Sequence, residues 1–152
     1  MDKLTGLIGV VLIGGVAALG WQVFGAQDAP QGHSMVPPDT SNIAEGAPIA
    51  EVSLPDDLSA SAKLGKTMFE AACAKCHGDN AAGQNGIAPP LVHKIYEPNH
   101  HGDMAFLMAA KNGVQSHHWN FGNMPKIDGV TDGDVKMIVA YVRELQRANG
   151  IN

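Results

Sequence analysis

Two cysteines, Cys73 and Cys76, are separated by two residues and followed directly by His77. This Cys-x-x-Cys-His pattern is the signal for covalent attachment of a c-type haem. Two intervening residues place both sulfurs within one helical turn, where each can form a thioether with a haem vinyl group. The histidine that follows is carried beneath the ring, where an imidazole commonly binds the iron. The pattern therefore predicts one covalent haem with His77 as the proximal iron ligand.

The same residues allow three other interpretations. A zinc site needs two more ligands at similar spacing, and the chain has no second cysteine pair. A thioredoxin-type dithiol belongs in a strand-rich βαβ context, and nothing in the pattern indicates a substantial strand. A structural disulfide leaves His77 without a role. Haem attachment is the favoured prediction.

Three helices are expected to position this motif. The first begins after the capping residue Ser59 and runs to about Ala74; its apolar face consists of Leu64, Met68, Phe69 and Ala72. The second covers Asp103 to Lys111 and stops at Gly113. The third follows a Thr131–Asp134 capping box, and its apolar residues repeat at helical spacing: Val135, Ile138, Val139, Val142 and Leu145. Residues 78–101 and 114–130 are predicted loops, so the domain is predicted to be all-α.

Residues 56–152 resemble the class I cytochrome c family. Gly65-Lys-Thr-Met-Phe69 is similar to that family's G-x-x-x-[FY] element, and Pro89-Pro90-Leu91 is similar to its P-x-L element. The resemblance implies that the C-terminal helix crosses closely at Gly65, with Tyr141 as the aromatic partner. It also implies that the Pro89 carbonyl accepts a hydrogen bond from His77, while Leu91 packs on the proximal haem face. Without the resemblance, both prolines are ordinary loop residues.

The second iron ligand is predicted from the same resemblance. Met124 lies in Asn123-Met124-Pro125, 47 residues after His77, in a segment similar to the family's axial-methionine segment. A histidine is the alternative ligand. Met68, Met108 and Met137 fall on helix faces as expected of core residues. Trp119 and Phe121 are predicted to wall the haem pocket, and the Trp119 N–H to reach a haem propionate, because a buried indole needs an acceptor.

Histidine usage departs from the family pattern. Besides His93, the domain contains two doublets, His100-His101 and His117-His118. The simpler interpretation is solvated loop histidines. The alternative is a second metal site formed by His100, His101, His117 and His118, since imidazole suits copper and zinc.

The segment before the domain divides into two parts. Residues 4–25 are uncharged and mostly apolar, and these 22 residues are enough to span a bilayer as a helix. Residues 1–25 are therefore expected to form an N-terminal transmembrane anchor, with a cleaved signal peptide as the alternative. Residues 26–57 contain five prolines and no apolar periodicity, which predicts a flexible linker before the cytochrome c domain at 58–152. Lys3 precedes the apolar segment and no base follows until Lys63, which places the domain outside the cytoplasm.

Net charge is −5, and residues 56–152 hold ten acidic and nine basic side chains. A nearly neutral domain disfavours nucleic-acid binding, which requires a basic face.

The chain is therefore expected to be a single-electron carrier, not an enzyme, tethered to the periplasmic face of a bacterial inner membrane. Its expected partners are redox proteins at that membrane, such as an oxidase, a dehydrogenase or a bc-type complex. Two alternatives remain open. One is a copper-linked redox or metal-handling accessory protein. The other is a haem-based sensor or peroxidase-like site, if Met124 is not a ligand.

Overall fold

The computed structural model describes residues 35–152 as a helical domain. Its elements are α1 (Ala60–Ala72), α2 (Ala74–His77), 3-10 turns at Asp79–Ala81 and Lys94–Tyr96, α3 (Asp103–Asn112) and α4 (Asp132–Ala148). No strand occurs in this range; two isolated bridges join Gln84 to Ala88 and Val114 to Met124. The helical prediction for the domain is thus confirmed.

The predicted anchor, residues 1–25, and the first part of the predicted linker lie outside the described residues. Among the helices of residues 35–152, none is both long and apolar enough to cross a membrane.

The local signals that predicted the helix ends are present. The Ser59 hydroxyl accepts a hydrogen bond from the Ala62 N–H at the start of α1. Thr131 and Asp134 form a reciprocal capping box at the start of α4, which satisfies two backbone donors that would otherwise lack partners. Gly113 ends α3 with φ of 75°, a conformation that costs glycine little.

The core forms where α1 and α4 cross. A Cβ added to Gly65 would lie 1.8 Å from the Met137 carbonyl oxygen, so only glycine permits this approach. Beside the crossing, the rings of Phe69 and Tyr141 pack with centroids 5.7 Å apart. The close crossing and the aromatic partner implied by the family resemblance are both present.

Two helix-face predictions are wrong. Leu64 is 58% exposed rather than part of the apolar face of α1. The buried face of α1 is centred on Ala62, Gly65 and Phe69, because the close approach of α4 at Gly65 fixes which side of the helix faces inward. Met108 is 47% exposed rather than core, since α3 has no buried residue.

The second half of the predicted linker is attached to the domain. The Ile49 and Ala50 amides both donate to the Ala82 carbonyl, at 3.1 and 3.0 Å. The Asn85 side chain donates to the carbonyls of Thr40 and Ile43 at 3.3 and 2.6 Å. These bonds hold the segment against the loop that follows the cysteine motif.

Candidate functional site

The Cys-x-x-Cys-His motif forms one helical turn. Cys73 separates α1 from α2, and its carbonyl accepts hydrogen bonds from the amides of Cys76 and His77 at 3.1 and 2.9 Å. The Gln84 side chain closes this turn by donating to the carbonyls of Lys75 and Cys76 at 2.9 and 3.0 Å. The sequence analysis missed Gln84, because a glutamine in a predicted loop carries no signal of such a role.

The electrostatics of the thiols disfavour a redox dithiol. Burial, with a smaller contribution from Cys76, raises the pKa of Cys73 to about 11. Reactive cysteines in Cys-x-x-Cys dithiols instead have lowered pKa values, because the thiolate is the nucleophile. The described part of the chain also lacks the βαβ context of such proteins.

His77 is held in one orientation. Its ring is buried, and Nδ1 lies 2.9 Å from the Pro89 carbonyl oxygen. Because a carbonyl only accepts, Nδ1 carries the proton and Nε2 keeps its lone pair. Burial lowers the pKa of His77, while the bond to Pro89 opposes that shift. The hydrogen bond implied by the resemblance is therefore present, and it leaves a neutral imidazole with one nitrogen available to a metal.

The turn that presents Pro89 depends on a glycine. Gly83 has φ of 74°, and a Cβ there would lie 2.4 Å from the Pro90 nitrogen. The Gly83 amide in turn donates to the His77 carbonyl at 2.7 Å. The chain thus folds back over its own histidine, bringing Pro89 within reach of the ring.

Both cysteines and His77 open onto one cavity of about 550 Å³. This volume lies within the range of cofactor pockets. The predicted pocket residues line the same cavity, mostly with apolar side chains: Pro89, Leu91, Trp119, Phe121 and Met124. The structure thus brings together the residues that the sequence assigned separately to the motif, the P-x-L element and the methionine segment.

Met124 is the best-placed methionine of this cavity. Its backbone is fixed by an antiparallel bridge to Val114, with both N–H···O distances near 3.0 Å. Met108 also lines the cavity, although it lies on a helix surface and is 47% exposed. Met104 is 65% exposed and lines a different depression. The cavity therefore contains two candidate thioether ligands, of which Met124 is the more tightly positioned.

Trp119 forms part of the cavity wall and is 6% exposed. Its ring stacks on Phe121 with centroids 5.5 Å apart. Within residues 35–152 its Nε1 makes no hydrogen bond of normal geometry, although an interaction with Trp119 opposes the rise that burial causes in the pKa of Tyr96. A buried N–H beside an apolar cavity fits a ligand that brings its own acceptor, such as a carboxylate.

The histidine doublets meet at the rim of the cavity. His100 Nε2 lies 3.3 Å from His118 Nε2, and the ligand atoms of His100, His101 and His118 all lie within 4.8 Å of one another. His117 stacks beside them without joining that set. His93 has a different role: its Nδ1 accepts a hydrogen bond from the Ile95 amide and so caps the 3-10 turn at Lys94–Tyr96.

Arg143 is a positioning residue that the sequence analysis missed. It is 7% exposed, and its guanidinium donates to the Tyr96 and His101 carbonyls and to the Asp103 carboxylate. The sequence did contain a signal for this role. Arg143 lies within the apolar repeat of α4, and an arginine buried there indicates bonding partners, since arginine is rarely buried without them.

A helical domain closed around an apolar cavity, with a Cys-x-x-Cys-His turn in its wall, defines a haem-binding domain. The residues fit that group: two thiols, one imidazole lone pair, apolar walls and a buried indole N–H that makes no hydrogen bond of normal geometry within residues 35–152. A model of the cytochrome c family matches residues 62–146, more than half of the chain, which therefore belongs to that family. Its members bind a covalent c-type haem and typically carry electrons. No curated protein is similar enough to this chain to count as a match.

Proposed function

We propose that this chain is a single-electron carrier whose haem is attached through Cys73 and Cys76 and ligated by His77 and Met124. The observation that carries the proposal is the cavity itself. It collects both thiols, an imidazole oriented by Pro89 and the fixed loop of Met124 at one apolar site.

Each residue has a physical role in this proposal. When bound, the haem supplies a one-electron iron couple. The bond from His77 to the Pro89 carbonyl fixes the tautomer and makes Nε2 a more basic ligand. Thioether ligation by Met124 favours the ferrous form and raises the reduction potential. Apolar walls exclude water, while Trp119 supplies a donor for a propionate. If His77 and Met124 both hold the iron, no ligand position would remain for a substrate, so the proposal includes no enzymatic activity.

Tethering to a membrane is a second part of the proposal. Residues 4–25 are apolar and uncharged over a length that suits one transmembrane helix. The charge distribution around them favours a periplasmic domain at a bacterial inner membrane. Expected partners are membrane redox proteins, such as an oxidase, a dehydrogenase or a bc-type complex. Attachment to the same membrane raises the effective concentration of the carrier near these complexes.

The ligand assignment is tested by comparing two methionines of one cavity. We expect Met124→Ala to lower the reduction potential and to allow carbon monoxide to bind the ferrous protein, because the sixth position opens. Met108→Ala is the matched control, since it also lines the cavity; it should leave the potential and the carbon monoxide response unchanged.

Two results would contradict the proposal. If Met108→Ala opens the iron and Met124→Ala does not, the wrong methionine has been assigned. If a haem stain after denaturing electrophoresis detects no covalent haem in the wild-type protein, or still detects it after both cysteines are changed to Ala, the attachment itself is wrong.

A further inference from the structure

Four histidines that the proposed electron-carrier role does not use are gathered at the two ends of α3. His100 and His101 precede the helix, and His117 and His118 follow it. Rings of the two doublets pack against each other, with centroids 5.4 Å apart for His100 and His118 and 5.3 Å for His101 and His118. This arrangement requires neutral imidazoles, because protonated rings would repel one another.

The spacing of the nitrogens suits a shared metal ion. Two ligands on one tetrahedral zinc, each at about 2.05 Å, stand roughly 3.3 Å apart. His100 Nε2 and His118 Nε2 are separated by 3.3 Å. His101 completes a set of three whose ligand atoms all lie within 4.8 Å of one another.

The lone pair of His101 is already prepared for coordination. Its Nδ1 donates to the Ile95 carbonyl at 2.6 Å, which leaves Nε2 as the acceptor nitrogen. Metal-binding histidines commonly donate their other N–H to a backbone carbonyl in this manner. The His118 side chain interacts with the Met35 backbone, and the loop that carries His101 is held by Arg143. Because these interactions already restrict the histidine side chains, less conformational entropy is lost when a metal ion binds.

The cluster also borders the haem cavity. His101 and His118 both line it, together with the cysteines, His77 and Met124. An ion bound here adds positive charge beside the proposed haem.

We propose that His100, His101 and His118 form a three-imidazole site for one divalent copper or zinc ion. A set of borderline nitrogen ligands binds copper(II) more tightly than zinc(II). A three-histidine set leaves at least one coordination position for water or an exogenous ligand. The effect of the ion on the haem rests on the proposed electron-carrier function; the binding of the ion does not.

Zinc chloride is the first probe, because Zn²⁺ has no redox chemistry to confuse the haem measurement. The full-length protein, detergent-solubilised and without a histidine tag, is titrated by calorimetry, and its haem potential is measured with and without Zn²⁺. We expect one ion per chain and a higher potential when it is bound, because added positive charge disfavours the ferric state. Copper(II) chloride should bind more tightly, with electron paramagnetic resonance showing splitting from three nitrogens.

Two variants identify the ligands. His100→Gln/His118→Gln removes two of the three nitrogens at partly or fully exposed positions, so the fold and the haem spectrum should persist. We expect Zn²⁺ affinity to fall on the order of a hundredfold or more, with no remaining shift in potential. His117→Gln is the matched control, since it lies in the same cluster outside the three-nitrogen set, and it should retain wild-type binding.

The possible failures are separable. Absence of stoichiometric Zn²⁺ and Cu²⁺ binding in a haem-loaded protein overturns the metal site and leaves the electron carrier intact. Equal loss of affinity in His117→Gln overturns the three-histidine assignment. A protein without haem that still binds one ion per chain refutes the electron-carrier proposal and supports the metal site.

Discussion

Arg143 connects the core to the loop before α3 through a single side chain. One guanidinium is bonded to two backbone carbonyls, the Asp103 carboxylate and the Gln146 side chain. It also lies 4.9 Å from the Phe106 ring centroid. A planar group with five donors can serve these acceptors at once, which the single ammonium of lysine cannot. The residue therefore fixes the segment that carries His100 and His101.

We predict that Arg143→Lys lowers the free energy of unfolding by about 2–4 kcal/mol, because one ammonium cannot replace these bonds. The His101 carbonyl and the Gln146 side-chain oxygen lose their donor, whereas the Tyr96 carbonyl keeps the bond from Gln146. Urea denaturation followed by circular dichroism measures this change. Asp103→Asn is the control: the Asp103 side chain is 72% exposed, so its loss should cost less than about 1 kcal/mol. Equal destabilisation by the two variants would show that the ion pair, rather than the carbonyl contacts, is the stabilising interaction.

The sequence alone singled out some of the residues of the candidate site and missed others. The cysteine motif was singled out because its pattern has its own chemistry, whereas Pro89 and Met124 were singled out through the resemblance of their segments to the cytochrome c family. Gln84 and Arg143 were missed because their importance comes from carbonyls distant in the chain. The sequence left open whether His100 and His118 lie close together or are separately solvated. The direction of the loops that carry them depends on Gly113 and on the Val114–Met124 bridge, which the sequence does not reveal.

At the scale of elements, the crossing of α1 and α4 sets the architecture. Gly65 sits against the Met137 carbonyl, and this contact fixes which face of α1 is buried. Helix ends were predicted well because caps are local signals. The buried face was predicted less well: apolar residue types alone included Leu64, whereas close packing at a glycine is a property of two elements together.

We predict that Gly65→Ala destabilises the domain by about 2–4 kcal/mol, because the added Cβ forces the two helices apart. Thermal unfolding of the haem-loaded protein measures the effect. Gly133→Ala is a matched control in the first turn of α4, where the nearest atom to an added Cβ is the Thr131 hydroxyl at 3.6 Å. That variant should stabilise the protein by roughly 0.5–1 kcal/mol, since alanine suits a helix better. A neutral Gly65→Ala would contradict the close crossing.

At the scale of the whole molecule, the segment before α1 bears on the proposed tether, because part of the predicted linker is attached to the domain. The linker predicted for residues 26–57 has an average flexible reach of roughly 30 Å. The Met35 backbone interacts with the His118 side chain, and hydrogen bonds to the rest of the domain are found from Thr40 to Ser53. Residues 40–53 therefore belong to the folded domain rather than to a flexible linker.

We predict that three versions of the chain separate anchoring from stability. The full-length protein should stay with membranes after a carbonate wash, because residues 4–25 bind hydrophobically. Residues 35–152 behind a cleavable signal peptide should be soluble, haem-loaded and as stable as the full chain. Residues 57–152 should also be soluble but should melt at a temperature about 4–8 °C lower, because they lose the bonds to Ala82, Asn85 and Asn149. These bonds are valued at about 1 kcal/mol net after the entropy of ordering the segment. Equal melting temperatures for the two shorter chains would mean that the segment is a free linker, as the sequence alone suggested. Release of the full-length protein by carbonate, with an N-terminus beyond Gly20, would instead establish a cleaved signal peptide.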